Sequence, residues 1–317
     1  MEFDIIERFF SPLSLRTRPG ALTMADLAIG DDGALITPPP NSQLVVVTDT
    51  LVKGVHFPED TAAYDIGWKA LAVNLSDLAA MGATPAFYSL ALTLPEQDAD
   101  WLTDFSQGLA DCAQPYQMPL IGGDTTRGPL TISITAQGWV PQGRALMRNG
   151  AQLGDDVYVS GLIGEAGLGL ELALNRQAKL NGLQQAALDR LNRPVARVGL
   201  GVGLRDLANS AIDVSDGLLA DLAHILNASK LGAQIETSQL AMSEVVKQWV
   251  GANRLKALTA GDDYELCFTA SPSKRPLIQA LAKEQGVVIH RIGCLVQPPG
   301  LVVDGVLLED ALGYQHF

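Results

Sequence analysis

Acidic residues recur in this chain where apolar runs of strand length give way to turns, nearly every one beside glycine, serine or threonine. The runs are Gly30-Asp31-Asp32-Gly33, Thr48-Asp49-Thr50, Asn74-Leu75-Ser76-Asp77, Gly122-Gly123-Asp124-Thr125-Thr126-Arg127-Gly128, Asp213-Val214-Ser215-Asp216-Gly217 and Gly261-Asp262-Asp263-Tyr264-Glu265-Leu266. Both halves share the theme of a strand ending in Asp, followed by a glycine-containing turn. Carboxylates backed by hydroxyls and open backbone suit hard divalent cations. Mg²⁺ held in this way keeps waters and completes its shell with substrate phosphates. The pattern points to an α/β protein that carries nucleotide-phosphate chemistry on metal ions.

The spacing predicts a helix over 4–10, strands over 34–37 and 44–49, a helix over 64–81 and a strand over 86–94. A helix after Pro95 and strands over 119–122 and 130–140 follow, with Pro95 and the prolines at 38–40 acting as turn punctuation. Around 149–155 the pattern breaks into small and polar residues. A second block then opens with a strand over 156–160, a glycine-punctuated helix from Leu162, a helical stretch over 180–209, a strand over 210–214 and a helix from Leu218. This organisation gives an N-terminal α/β domain over 1–149 and a C-terminal α/β domain over 150–317, and 317 residues are enough for a core in each. Neither a solenoid repeat nor a low-complexity tract is present.

A net charge of −13 makes the surface repel nucleic acid, and no Lys/Arg cluster supplies a local exception. The same charge repels a nucleotide triphosphate, so a polyanionic ligand requires cations to mediate; the acidity serves solubility equally well. No window has the roughly eighteen apolar residues of a membrane helix. Glu2, Asp4 and Glu7 stand where a signal peptide is basic, so the expectation is a cytoplasmic protein without a membrane partner. Cys112, Cys267 and Cys294 are scattered and read as small core residues.

The segment 213–217 follows an apolar strand and precedes a helical pattern, which predicts Ser215 or Asp216 as a helix cap with free amides facing a phosphate. In 122–128 two glycines allow close approach to a ligand while Asp124, two threonines and Arg127 bring polar groups to one turn; a tight hairpin explains the glycines alone. Asn74 and Asp77 lie beside the apolar stripe Leu71, Leu75, Leu78 and need a partner, either a metal ion or a neighbouring loop. Asp31 and Asp32 make an ordinary turn composition that also favours a shared cation, and Thr48-Asp49-Thr50 reads as the polar end of a strand.

Several chemistries are excluded. The glycines at 161, 164, 167 and 169 miss the dinucleotide fingerprint, and there is no P-loop, protein-kinase signature or nucleophile elbow. His56, His224, His290 and His316 form no ligand-spaced pair, and only His56 lies near the acidic runs.

Taken in order, these motifs, with Asn-Leu-Ser-Asp-Leu-Ala-Ala-Met-Gly at 74–82 and the terminal Gly313-Tyr314-Gln315-His316-Phe317, resemble the thiamine-monophosphate kinase family over essentially the whole chain. The resemblance implies a two-domain aminoimidazole ribonucleotide synthetase-like α/β fold, of α+β type, and a homodimer whose N-terminal sheets meet in a barrel. It implies ATP- and Mg²⁺-dependent phosphorylation of thiamine monophosphate. By motif match, Asp32, Thr48, Asp49, Asp77, Asp124, Asp213 and Asp216 would hold Mg²⁺, and Gly123, Asp124, Arg148 and Ser215 would contact ATP. Asp124, Arg148, Asp213 and Asp216 would form the catalytic set, and His56 and Asp262 would face the thiamine phosphate.

Two features depart from the family pattern. Asp262 replaces a frequent Glu, and Ala311 and Leu312 stand where many members carry an aromatic residue, which leaves open what stacks on the substrate ring. The acceptor is a phosphate monoester with a second pKa of about 6, so no general base is needed and the expected route is direct in-line transfer. Other enzymes of the fold, selenophosphate synthetases and hydrogenase-maturation ATPases, usually carry an N-terminal or terminal Cys; here none precedes Cys112 and the chain ends at Phe317. A non-catalytic cation-binding protein is the rival of another class, and calcium-loop spacing is absent.

Overall fold

The computed structural model describes residues 2–15, 25–176, 179–308 and 313–314. The chain divides into two compact units, Met1–Leu78 with Ala83–Gly143, and Ala79–Gly82 with Arg144–Phe317.

The first unit opens with α1 (Glu2–Ile5), a π-helical turn at Ile6–Phe10 and α2 (Ser11–Leu15). The short strands β1 (Ala25–Leu27) and β2 (Leu35–Ile36) pair antiparallel. A four-stranded sheet is built from β3 (Ser42–Val52), β4 (Thr84–Leu94), β5 (Leu120–Arg127) and β6 (Thr131–Pro141), in the order β3-β6-β4-β5. Helix α3 (Ala63–Ala80) precedes β4, and α4 (Ala99–Ala113) joins β4 to β5. These two strands are parallel and require such a crossover, whereas the other neighbours are antiparallel.

Alternation along β6 shows which face holds the core. Ile132, Ile134, Ala136 and Val140 are buried, while Thr131, Ser133, Thr135, Gln137 and Trp139 lie half-buried on the other side. Helix α3 covers the apolar face: Leu71, Leu75 and Leu78 are fully buried, and a Cβ on Gly138 would lie 3.2 Å from Leu78 Cδ2. Each such leucine contributes about 1.5–3 kcal/mol of burial. The opposite, outer face stays open, and Leu44 and Val46 project from it 46% and 56% exposed.

The second unit contains β7 (Asp156–Ser160), α5 (Glu165–Leu174), α6 (Gly182–Asn192), α7 (Val198–Leu204), β8 (Ser210–Asp213), α8 (Leu218–Ser229) and β9 (Gly232–Ile235). Helices α9 (Glu244–Val250) and α10 (Leu255–Leu258), strand β10 (Leu266–Ala270), helix α11 (Arg275–Gln285) and strands β11 (Ile289–Val296), β12 (Gly300–Val303) and β13 (Val306–Leu308) complete it. The sheet order is β13-β12-β9-β11-β7-β10-β8, antiparallel except for β9 beside β12. One face joins Val157, Val159, Ile212 and Cys267 to Leu218, Leu222 and Ile225 of α8 in a single core. On the other face Tyr158 stacks on Phe268 at 5.1 Å.

The helical stretch read over 180–209 is two helices. Pro194 lies between them, and a proline there removes a backbone donor and disfavours helix in the residue before it.

Candidate active site

In the first unit an open cleft of about 790 Å³ is bounded by β5, the loop at 29–34 and the π-helical turn. Ile6, Phe10, Ile29, Leu90, Leu120 and Ile121 make its apolar wall, and Asp31, Asp32 and Asp124 its acidic side, with Gly122 and Gly123 between them. Asp31 Oδ1 accepts the Asp32 amide at 2.9 Å, which fixes this loop locally. The cleft thus brings together Asp32, Gly123 and Asp124 of the sequence-predicted set.

The segment 122–128 is neither the ligand turn nor the hairpin weighed from the sequence. It runs along β5, an edge strand in parallel register with β4, with Gly123 beside Leu90 and Asp124 beside Ala91. A Cβ on Gly123 would collide with the Leu90 carbonyl, so this glycine lets β5 close on β4; around Gly122 the space is open. Both glycines line the cleft, and Gly123 alone is required by the sheet.

Thr48-Asp49-Thr50 lies inside β3 and not at a strand end. Alternation sends Thr48 and Asp49 to opposite faces. Thr48 Oγ1 sits 2.9 Å from Thr135 Oγ1 on the outer face, whereas Asp49 shares the inner face with Val45 and Leu51. Thr48 aligns across the sheet with Thr135, Ser89 and Gly122, three strand spacings, or about 14 Å, from β5. Thr48 and Asp124 of one chain therefore do not meet on one ion, whose ligands lie about 2 Å away. Asp77 is half-buried on α3, and the fully buried Asn74 donates through Nδ2 to the Ala70 carbonyl at 3.1 Å. His56 occupies the turn after β3. Its Nδ1 accepts the Val52 amide at 3.0 Å, which leaves the proton on Nε2.

In the second unit the acidic segment after β8 is held by its backbone. The Val214 amide donates to the Glu265 carbonyl, and the Asp262 and Tyr264 amides donate to Ser215 and Val214, all three at 2.8 Å. The Tyr314 amide reaches the Asp216 carbonyl at 3.0 Å, so the chain's terminal Gly-Tyr joins the same place. Asp213, Ser215, Asp216 and Asp262 are brought together. Ala311 and Leu312 lie outside the described residues.

The cap predicted for α8 takes another form. Gly217, at φ +118, is the N-cap, and a side chain there would press on the Thr259 backbone. The Ser215 and Asp216 amides donate instead to Asp221 Oδ2, at 2.9 and 3.1 Å, and so do not stand free for a phosphate. Burial, and then the charges of Asp213 and Asp216, push the Asp221 carboxyl up to about 7 against the pull of those two amides. Asp221 was not singled out from the sequence, although an acid between Ala220 and Leu222 on an apolar helix is the signal that picked out Asp77.

Within 261–265 the side chains separate by function. Asp262 and Tyr264 adopt φ +68 and +49, and the Tyr264 hydroxyl donates to Asp262 Oδ1 at 3.1 Å. Asp263 turns inward and accepts the Gly164 and Ala166 amides at 2.7 and 3.3 Å, which caps α5 from a distant part of the sequence. Burial holds its carboxyl well above the usual carboxylate range, offset in part by those amides. Glu265 is fully buried and accepts from Arg190 Nη2 at 2.6 Å, Arg197 Nε at 2.7 Å and Ser160 Oγ at 2.6 Å.

Arg148 stands apart from this group. Its carbonyl accepts from Ser229 at the C-terminal end of α8, whereas Asp216 precedes the first turn, about 18 Å away along twelve residues. Its side chain is exposed.

Among the described residues no three His, Cys, Asp or Glu side chains are grouped tightly enough to cage an ion. The chain offers hard carboxylate oxygens of Asp213, Asp216 and Asp221 close together in one segment, without a closed shell. That donor set fits Mg²⁺, which usually takes one or two carboxylates and completes its octahedron with waters and substrate phosphates.

Family models of AIR synthase related proteins match the chain in two pieces, the N-terminal domain at residues 30–140 and the C-terminal domain at 152–305. The thiamine-monophosphate kinase of Escherichia coli K12 is 44% identical over 323 aligned positions, covering 100% of this chain and 98% of that one. The crystal structure of thiamine-monophosphate kinase from Stenotrophomonas maltophilia K279a superposes with a TM-score of 0.88 at 47% identity, over 93% and 95% of the two chains. The structure of AaThiL complexed with AMPPCP and TMP superposes with a TM-score of 0.80 at 31% identity, over 92% of each chain. With both domain models matched and relatives of one name aligned over its whole length, the chain belongs to the thiamine-monophosphate kinase family, in the two-domain α/β fold of the AIR synthase related proteins.

Proposed function

We propose that this chain transfers the terminal phosphoryl group of ATP to thiamine monophosphate, giving thiamine diphosphate, by direct in-line displacement. The observation that carries the reading is the first-unit cleft, where Asp31, Asp32 and Asp124 face an apolar wall in a chain of net charge −13. Such a cleft attracts a phosphate ligand only with cations, and Mg²⁺ supplies the charge neutralisation that lets two phosphate groups approach.

The residues then divide the work. Asp32 and Asp124 in the cleft, Asp213 at the end of β8 and Asp216 after it, and Thr48, Asp49 and Asp77 are the proposed metal ligands. Gly123 contributes its backbone beside ATP. Ser215 offers its hydroxyl, which has no partner among the described residues while its amide and carbonyl are engaged. Arg148 presents an exposed guanidinium to phosphate. His56, with its Nε2 proton, and Asp262 address the thiamine phosphate. The acceptor is already largely dianionic at pH 7, so no side chain needs to remove a proton from it.

We further propose a homodimer in which the four-stranded sheets close into a barrel. Among the described residues β3 pairs only with β6, and β5 only with β4, so an eleven-residue strand presents an open edge. Natural proteins protect long edges of this kind. Closing edge on edge would also cover Leu44 and Val46 and bring Thr48 of one copy toward Asp124 of the other.

Incubation of the pure protein with Mg²⁺, ATP and thiamine monophosphate tests the activity. ADP should form only when the acceptor is present, and γ-labelled ATP should label thiamine diphosphate. Metal uptake without turnover would overturn the reading, and a phosphorylated protein that goes on to form product would overturn the direct route.

A further inference from the structure

The second unit holds another charged site, at the end of β10 away from the acidic segment. Asp213 pairs with Leu266 at the start of that strand, whereas Asp156 pairs with Ala270 at its end. The Asp156 side chain is 2% exposed, yet its partners Arg275 and Arg291 remain 49% and 48% exposed. Arg275 donates through Nε at 2.6 Å and Nη2 at 2.8 Å, Arg291 through Nη1 at 3.3 Å and the Tyr158 hydroxyl at 3.2 Å. One buried carboxylate thus orients two guanidinium groups that still face water. Two cations against one anion leave a net positive charge. Arg291 Nε and Nη2 have no acceptor among the described residues.

The arginines edge a cleft of about 170 Å³ between α11 and strands β7 and β11, whose other walls include Tyr158, Ile278, Gln279 and Ile289. No carboxylate lines it. In so acidic a chain this is a local reversal of sign. At about 30 Å³ per water the cleft holds five or six waters, and it falls below the ~300 Å³ where pockets for larger organic ligands begin. A tetrahedral oxyanion fits that space. A planar guanidinium already fixed by Asp156 also loses little freedom on binding one.

We propose that Arg275, Arg291 and Gln279 form a metal-independent site for a free tetrahedral oxyanion of the inorganic phosphate class, separate from the acidic segments. The assignment does not depend on the kinase reading.

Titration of inorganic phosphate into the full-length protein in EDTA, at constant ionic strength and followed by calorimetry, tests it. Without divalent metal the acidic segments repel phosphate, so saturable binding reports on this cleft. One phosphate per chain is expected. Affinity should fall at least tenfold in both Arg291→Gln and Gln279→Glu, which leave the Arg275–Asp156 pair in place, with unchanged circular dichroism. Absence of saturable binding in EDTA, or undiminished affinity in the two variants, would overturn the proposal.

Discussion

Asp221 Oδ2 accepts the Ser215 amide at 2.9 Å across the first turn of α8, and the Asp216 amide joins it at 3.1 Å. The acid thereby shapes the segment that carries two proposed metal ligands. Asp221→Ala leaves both amides without an acceptor in a half-buried position, which costs about 1–3 kcal/mol for each group so orphaned. The melting temperature should fall clearly in Asp221→Ala and much less in Asp221→Asn, whose amide oxygen can replace Oδ2; equal melting of the two variants would contradict this.

Asp124 is exposed on an edge strand, so its removal should be felt in turnover and not in folding. Asp124→Asn is expected to lower acceptor-dependent ADP release by about a hundredfold or more, on the scale of losing a group that stabilises transition-state charge. Its thermal unfolding should match the parent. Near-normal rates would remove Asp124 from the site.

Glu265 sits under two arginines with no exposed surface. Glu265→Leu leaves two partly buried cations facing apolar carbon, and breaking a buried pair in this way costs about 3–5 kcal/mol. Urea unfolding should show that loss. Arg190→Met should cost less, because Arg197 keeps the carboxylate paired.

Burial raises the Asp156 carboxyl, but the hydrogen bonds and charges of Arg275 and Arg291, with help from Tyr158, outweigh it and leave the group below its ordinary value of 3.8. A lowered folded-state value means that the unfolded chain takes up the proton first. This contribution is therefore complete above the ordinary carboxylate range and is lost as the pH falls through the folded value. Melting temperature measured from pH 6 down to pH 2 should drop less steeply in Asp156→Asn than in the parent, from a lower starting point.

Val46 projects from the outer face of β3, 56% exposed. If that face and edge join two copies, Val46→Lys places like charges at the junction and should convert dimer to monomer in sedimentation velocity while leaving circular dichroism intact. A parent protein that sediments as a monomer would refute the barrel.

The acids that line the cleft were legible because composition alone flags them: Asp32 and Asp124 stand among glycines and hydroxyls. Their geometry was less legible. Gly122-Gly123-Asp124 reads as a turn from its glycines, and only the close approach of the Leu90 carbonyl explains why one of them belongs inside a strand. Thr48 and Asp49 are neighbours in sequence, yet strand alternation sets them on opposite faces. The same holds at 261–265, where left-handed backbone at Asp262 and Tyr264 directs Asp263 to the start of α5. Strands such as β6 were readable from their period of two, whereas the break between α6 and α7 turned on Pro194.

The run from Gly261 to Glu265 places an anchor for a helix, a clamp for two arginines and a proposed ligand for substrate within one short span. Few substitutions there can alter what the protein accepts without also loosening its architecture, so a change of substrate preference would have to begin elsewhere in the chain.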